Sequence, residues 1–328
     1  SNQFSIRLHE ARQMMGLSME KLAELTGGII TKQSISRYEK GLMLPKRVAK
    51  LAMAKALNIS DSYFDGTNLK IDMPMLRTTS NGKLSEDELQ ALEAKLSFWA
   101  EQYLAKEKDA GFPTQFHNPI KDTKVSTLED AIQASILLRE KWHCGDGPIA
   151  SILRLLERKG IMILAATLPD YVFGMSTWAD KKHPLMILDF NPEKSSVEKL
   201  RFTAAHELAH LLLLFPEDSP LRLEKRCDLF ASFFLLPKTA LIEELGSRKR
   251  ELITLEEMID IKELYGASLA ASIIAARDYG IITTEYKRVW YAEHIEPNPR
   301  EIGNGHYAFP ETLGREKRVN SIIKSMEE

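Results

Sequence analysis

The sequence predicts an α+β protein: an N-terminal all-α domain, a helical linker, then a mainly α domain with a small β-sheet. Three observations carry this reading. The first 66 residues form short helical stripes broken at glycines; a long charged helical stripe follows a Pro-, Thr- and Ser-containing stretch; short apolar runs then precede two long apolar helices. A length of 328 residues suits two or three domains, divided as 1–66, 67–126, 127–290 and a tail over 291–328.

In the first segment, Phe4, Ile6, Leu8 and Ala11 make a stripe that ends at Gly16. Ser18 suits the cap of a second helix ended by Gly27-Gly28, and Thr31 that of a third, stopped at Gly41. A fourth helix covers Arg47 to Leu57, and a last turn lies near Asp61 to Phe64. The linker helix runs from Leu84 to Lys108 with Leu89, Leu92, Leu96, Trp99 and Tyr103 on one stripe, as a spacer or a homodimer contact. In the second domain, helices are expected over 127–142 and 148–159, strands over 161–165, 171–178 and 185–190 with a charged turn at 180–183, and helices over 198–214 and 223–236. A short strand or hairpin is expected over 281–291, and a final helix from Arg315.

Composition excludes several classes. Lys plus Arg number 44 against 46 Asp plus Glu, so the whole chain is no polybasic coat. The first 66 residues nevertheless hold ten basic and six acidic residues, net +4, leaving −6 for the rest. A basic module beside an acidic one is the local footprint of duplex DNA contact. Two cysteines cannot form a disulfide framework and fit a reducing cytoplasmic setting. No apolar run is long enough to span a bilayer, so no membrane role is expected.

The strongest chemical signal is His206-Glu207-Leu208-Ala209-His210 within an apolar helix. Four residues is just over one turn, so both histidines project from one face and can share a metal, with Glu207 beside them to accept a proton from water. Two imidazoles and a carboxylate in such a helix are costly unless a metal compensates. Leu213 and Pro216 stand where a longer zincin motif needs Gly and His. The acids within reach are Glu217, Asp218, Glu224 and Asp228. Glu224 and Asp228 share one helix face; one can ligate while the other accepts the N–H of a ligand histidine, and Glu224 is the favoured ligand. Cys227 lies one turn after Glu224 and reads as a buried small residue that could approach the metal. Tyr171, His183 and Tyr265 are candidates for a second oxyanion donor.

Arg201-Phe-Thr-Ala-Ala-His206-Glu207-Leu-Ala-His210, followed by Glu224-Lys-Arg-Cys227-Asp228-Leu-Phe230-Ala231 and Leu235-Leu236-Pro237, resembles the ImmA/IrrE-type, gluzincin-like metallopeptidases over about residues 127–285. Cys227 and Asp228 stand where that family has Ala and Asn. The resemblance implies a zinc metalloendopeptidase with His206, His210 and Glu224 as ligands, Asp228 behind them and Glu207 as the base. It also implies a repressor or regulatory protein as substrate, its peptide adding to a sheet edge supplied by 171–178 or 185–190.

Gly16-Leu-Ser18-Met19-Glu-Lys-Leu-Ala23 followed by Ser34-Ile-Ser-Arg37-Tyr38-Glu-Lys-Gly41 resembles the XRE/phage-repressor helix-turn-helix regulators. Its turn is longer at Gly27-Gly28, and Met19 replaces a Gln that touches phosphate. The resemblance implies operator DNA as partner, with Lys32, Gln33, Ser34 and Arg37 at the exposed start of the reading helix; Gln33 suits adenine and Arg37 guanine or phosphate. Ile35 and Tyr38 are expected in the core. Two functions compete: a DNA-tethered peptidase, and a transcription regulator whose zincin-like domain senses a ligand or metal without cutting.

Overall fold

The computed structural model describes residues 2–66, 69–72, 86–216 and 219–327. The expected helix start at Leu84, the Leu89 side chain and the acids Glu217 and Asp218 lie outside the described residues. The chain folds as two compact units, one of 1–115, 178–183 and 314–328, the other of 116–177 and 184–313.

The first unit begins with α1 (Asn2–Met14), α2 (Met19–Leu25), α3 (Lys32–Glu39), α4 (Arg47–Leu57) and a 3-10 turn (Asp61–Asp65). The caps read from sequence are formed: Ser18 Oγ accepts the Lys21 N–H at 3.0 Å, and Thr31 Oγ1 that of Ser34 at 3.2 Å. Leu8, Leu22, Ile35, Met53, Leu57 and Phe64 fill the core. Strand β1 (Ile71–Asp72) and α5 (Glu86–Asp109) follow. Buried Arg7 of α1 donates to the Tyr63 carbonyl at 2.5 Å and pairs with Glu101 of α5, whose other oxygen accepts the Leu69 N–H at 2.6 Å. An arginine with one exposed carboxylate face would gain little; this one is buried with its partner, so separating them would strand a charge.

The second unit carries α6 (Leu128–Lys141), α7 (Ile152–Arg158), β2 (Met162–Ala165), β3 (Gly174–Ala179), β4 (His183–Leu188), α8 (Val197–Leu212), α9 (Pro220–Leu235), α10 (Lys238–Leu245), α11 (Leu255–Tyr265), α12 (Leu269–Asp278) and α13 (Thr284–His294). The tip of the β3–β4 hairpin, 178–183, groups with the first unit, as does α14 (Arg315–Glu327), where Arg315 Nε meets Glu107 of α5 at 2.6 Å. Residues 291–313, expected as a tail, belong to the second unit. Strand order is β1-β3-β4-β2, with β2 parallel to β4 and β1 antiparallel to β3 at Ile71↔Ala179 and Asp72↔Trp178. Asp180 and Lys181 turn the hairpin with positive φ, +52° and +54°.

Three local expectations change. Strand β3 starts at Gly174 and not at Tyr171, and β4 starts at His183, which was expected in the turn. With β3 on one side and β2 on the other, β4 is interior and not an edge. The strand expected over 281–291 is the helix α13. Its β-branched and aromatic content suggested a strand, but Thr283 caps it through the Tyr286 N–H, and Tyr286 and Trp290 turn inward one helical turn apart.

Candidate metal centre and DNA-reading helix

Helix α8 places the two histidines, and the sequence dictates why it begins and where it faces. Ser196 Oγ accepts the Lys199 N–H at 3.2 Å, and Ala204, Ala205, Leu208 and Ala209 are buried against the core. That leaves His206 and His210 on the polar flank, side chains 14% and 27% exposed, facing α9. Their Nε2 atoms lie 3.1 Å apart, and Glu224 of α9 reaches both, at 3.0 Å from His206 and 3.6 Å from His210. Three donors of the types zinc takes thus converge from two helices.

The other ring nitrogens face outward from this cluster. His206 Nδ1 meets Asp228 Oδ1 at 2.8 Å, the carboxylate one turn beyond Glu224. Cys227 Sγ lies 3.8 Å from His210 Nδ1. One nitrogen of each histidine and the cysteine sulfur fall within 4.8 Å of one another, which makes Cys227 a rival third donor. We favour Glu224, because it meets the two Nε2 atoms that face each other, while the sulfur sits behind His210. Burial, then the charges of Glu224, Glu207 and Asp228, push the Cys227 thiol up and oppose the thiolate a metal needs.

Electrostatics fits the same arrangement. Burial disfavours charge on His206, yet its hydrogen bonds to Asp228 and Glu224 and the charge of Glu207 outweigh this and raise it to about 9. Hydrogen bonds from His206 and then His210 hold Glu224 far below the usual carboxylate range. The pocket stabilises positive charge between its donors, which is what a divalent cation supplies.

Glu207 points to the sheet side of α8. Ser176 of β3 donates to its Oε2 at 2.6 Å. The strand can come this close because of Gly174: a Cβ there would sit 2.6 Å from Thr203 Cγ2 and 2.9 Å from Leu188 Cδ2. Gly174 and Ser176 share a strand face, and Thr203 and Glu207 a helix face, so one contact sets the other. Ser176 was missed from sequence; only its period-two relation to a glycine in a strand hinted at it. Of the oxyanion candidates, Tyr265 spends its hydroxyl on Glu244 at 3.2 Å, Tyr171 lies in the segment before β3, and His183 belongs to the hairpin tip in the first unit.

In the first unit, α3 exposes Lys32, Gln33 and Arg37 and buries Ile35 and Tyr38. Lys32 pairs with Glu20 of α2 on the surface, a weak contact that phosphate can replace. Ser34 is half-buried, its Oγ 3.0 Å from the capping Thr31 Oγ1, so it is already engaged at the helix start.

Residues 8–64 match the helix-turn-helix family and residues 156–274 the IrrE N-terminal-like domain, a peptidase family. The chain is a fusion of these two modules, as its two motif sets implied. A comparison with curated proteins finds no match. No helix among the described residues is long and apolar enough to cross a membrane.

Proposed function

We propose that the protein is a DNA-binding transcriptional regulator whose second module is a zinc metalloendopeptidase acting on a repressor or regulatory protein. The observation that carries this is the convergence of His206 Nε2, His210 Nε2 and Glu224 beside a Glu207 that is held from the opposite side by Ser176.

His206, His210 and Glu224 would hold the zinc, and Asp228 fixes the His206 ring so that Nε2 faces the ion. Zinc, when bound there, polarises a peptide carbonyl and makes water more acidic. Glu207 takes the proton of the attacking water and returns it to the leaving amine. Ser176 keeps that carboxylate aimed. A substrate peptide would add as a strand to the β3 side of the sheet, since β4 is interior between β3 and β2. The helix-turn-helix brings this chemistry to an operator through Lys32, Gln33 and Arg37, with cytoplasmic DNA as its setting.

The test is Glu207→Gln in the full chain. The amide keeps shape but cannot accept a proton, so zinc content and operator affinity should hold while cleavage falls roughly a hundred- to ten-thousandfold. Equal cleavage by the variant would overturn the assigned base. Regulation intact in cells, with no cleavage by the wild type on proteins encoded beside it, would establish the alternative reading, a regulator that senses without cutting.

A further inference from the structure

A cavity of about 1150 Å³ opens in the second unit between α6, the start of α8, α9 and the start of α12. It is large enough for a small organic ligand. It is distinct from the place where the metal donors meet. Asp228, which lines it, holds His206 by Nδ1, the nitrogen opposite the one facing His210 and Glu224. The cavity therefore lies behind the His206 ring and touches the metal centre through Asp228 and through Phe202, whose ring is 6.3 Å from that of His206.

Its walls are mostly apolar, with Leu128, Ile132, Phe173, Phe202, Leu229 and Ile274 among them. The acids on them are already engaged. Glu198 accepts the Tyr307 N–H at 2.7 Å, Glu301 the Lys262 ammonium at 2.9 Å, and Glu129 the Gln133 amide at 2.8 Å; Asp278 pairs with Arg277 at 2.5 Å. Two cations differ. Lys199 sits 4.8 Å from the Phe173 ring centre and 5.6 Å from that of Phe202, and Lys225 stands on the same rim. Among the described residues neither has a carboxylate within salt-bridge distance. The uncompensated charge of the cavity is positive, and it is set against aromatic and aliphatic walls.

We propose that this cavity is an effector site for an amphipathic organic carboxylate, its head on Lys199 and Lys225 and its body among Phe173, Phe202 and Ile132. Occupancy bears on the metal centre through Asp228. A carboxylate that engages Lys199 neutralises a cation that interacts with Asp228, and its own charge adds to the attraction for a cation beyond His206. Both effects tighten zinc binding, and by reciprocity zinc tightens the carboxylate. The site does not depend on whether the metal centre cuts peptide bonds.

The experiment uses the full chain with zinc and decanoate as probe, read by displacement of the fluorescent anion 8-anilinonaphthalene-1-sulfonate. Decanoate should displace the dye, and decanol should do so at least about tenfold less well. Lys199→Glu with Lys225→Glu should weaken decanoate about tenfold or more, at unchanged zinc content and melting temperature. Ala271→Phe, which fills the cavity without touching either lysine, should weaken it equally. Zinc affinity measured by chelator competition should rise about fivefold with decanoate present. Equal binding of decanol, or binding that survives either variant, would overturn the anion site. A peptide that displaces the dye where decanoate does not would also overturn it, in favour of a substrate cleft. Unchanged zinc affinity would overturn the coupling. Loss of peptide cleavage alone bears on the peptidase reading and leaves this site standing.

Discussion

Gly174→Ala tests the contact that aims the proposed base. The added Cβ would lie 2.6 Å from Thr203 Cγ2, 2.9 Å from Leu188 Cδ2 and 3.2 Å from the Ile187 carbonyl oxygen. The leucine methyl can swing away, but Thr203 is β-branched in a helix with only two χ1 rotamers open to it, so relief there is limited and β3 or α8 must shift. Overpacking of this kind costs about 3 kcal/mol at the upper end of its usual range. Against it stand about 0.8 kcal/mol for burying a methyl and about 0.5 kcal/mol from restricting the unfolded chain. The net expectation is a loss of roughly 1.7 kcal/mol. Thr203→Ser removes Cγ2 and alone costs about 1 kcal/mol. The double variant should be more stable than the sum of the singles by about 1 kcal/mol, since the clashing atom is gone. Urea unfolding of the metal-free full chain gives the free energies, and amide exchange over 203–210 reports the local effect. Zinc stoichiometry should hold, because its proposed ligands sit on α8 and α9 and not on β3. A neutral Gly174→Ala, or strictly additive singles, would refute the close approach of β3 to α8.

The remaining expectations concern metal, pH and DNA. His206→Ala or Glu224→Ala should lose zinc measured by atomic emission, while Cys227→Ser keeps it; the reverse for Glu224 and Cys227 would replace the carboxylate by the thiol. In chelator-treated protein, His206 is raised from 6.5 to about 9, so its ion pair stabilises fully below about pH 6.5 and that part is lost as pH rises through about 9. Melting temperature should fall over that window, by no more than roughly 3 kcal/mol of stability, and saturating zinc should abolish the trend. Lys32→Ala with Arg37→Ala should weaken operator binding and lower the slope of log affinity against log salt by about 1 to 2. An unchanged slope would remove α3 from the interface.

Local signals were legible where they act locally. Ser18 and Thr31 mark helix starts because a cap needs only a side-chain oxygen three residues before an orphan N–H. The histidine pair was legible because helical spacing alone puts both on one face. The partition between Glu224 and Asp228 was open from spacing and is argued from which ring nitrogen each meets. Contacts made across long sequence separations were not legible. Ser176 reaches Glu207 across 31 residues, and no periodicity announces such a pairing. Helix α13 misled for a different reason. Its residues favour strands in isolation, but Trp290 is buried and Tyr286 half-buried at helical spacing against the core, and burial outweighs propensity.

Arg201 shows how the segment beyond α13 supports the helix that carries both histidines. It stands five residues before His206 and is fully buried. Its guanidinium donates to the Ile149 and Tyr265 carbonyls at 2.8 and 3.2 Å, pairs with Glu311, and lies 4.0 Å over the Tyr307 ring. Gly266 makes room for it: a Cβ there would fall on Arg201 Nε, and its φ of +65° already favours glycine as the end of α11. Glu311 also accepts the Ile152 and Leu153 N–H groups at the start of α7, at 2.9 and 3.2 Å. One carboxylate thus satisfies a helix terminus and the arginine that fixes α8. Removing Glu311 would leave a buried guanidinium unpaired, a cost of about 3–5 kcal/mol. The motif arginine therefore acts as an anchor: it ties α8 to the segment before α7 and to the end of α11. Residues 301 and 311 lie outside the matched peptidase segment, which ends at 274. Glu301 does for α12 what Glu311 does for α7, accepting the Leu269 and Ala270 N–H groups at 3.0 Å each and pairing with Lys262. Glu301 thus satisfies buried N–H groups at a helix start inside the family-matched segment, and Glu311 does the same for α7, which begins just before it, so residues 291–313 pack as part of the second unit.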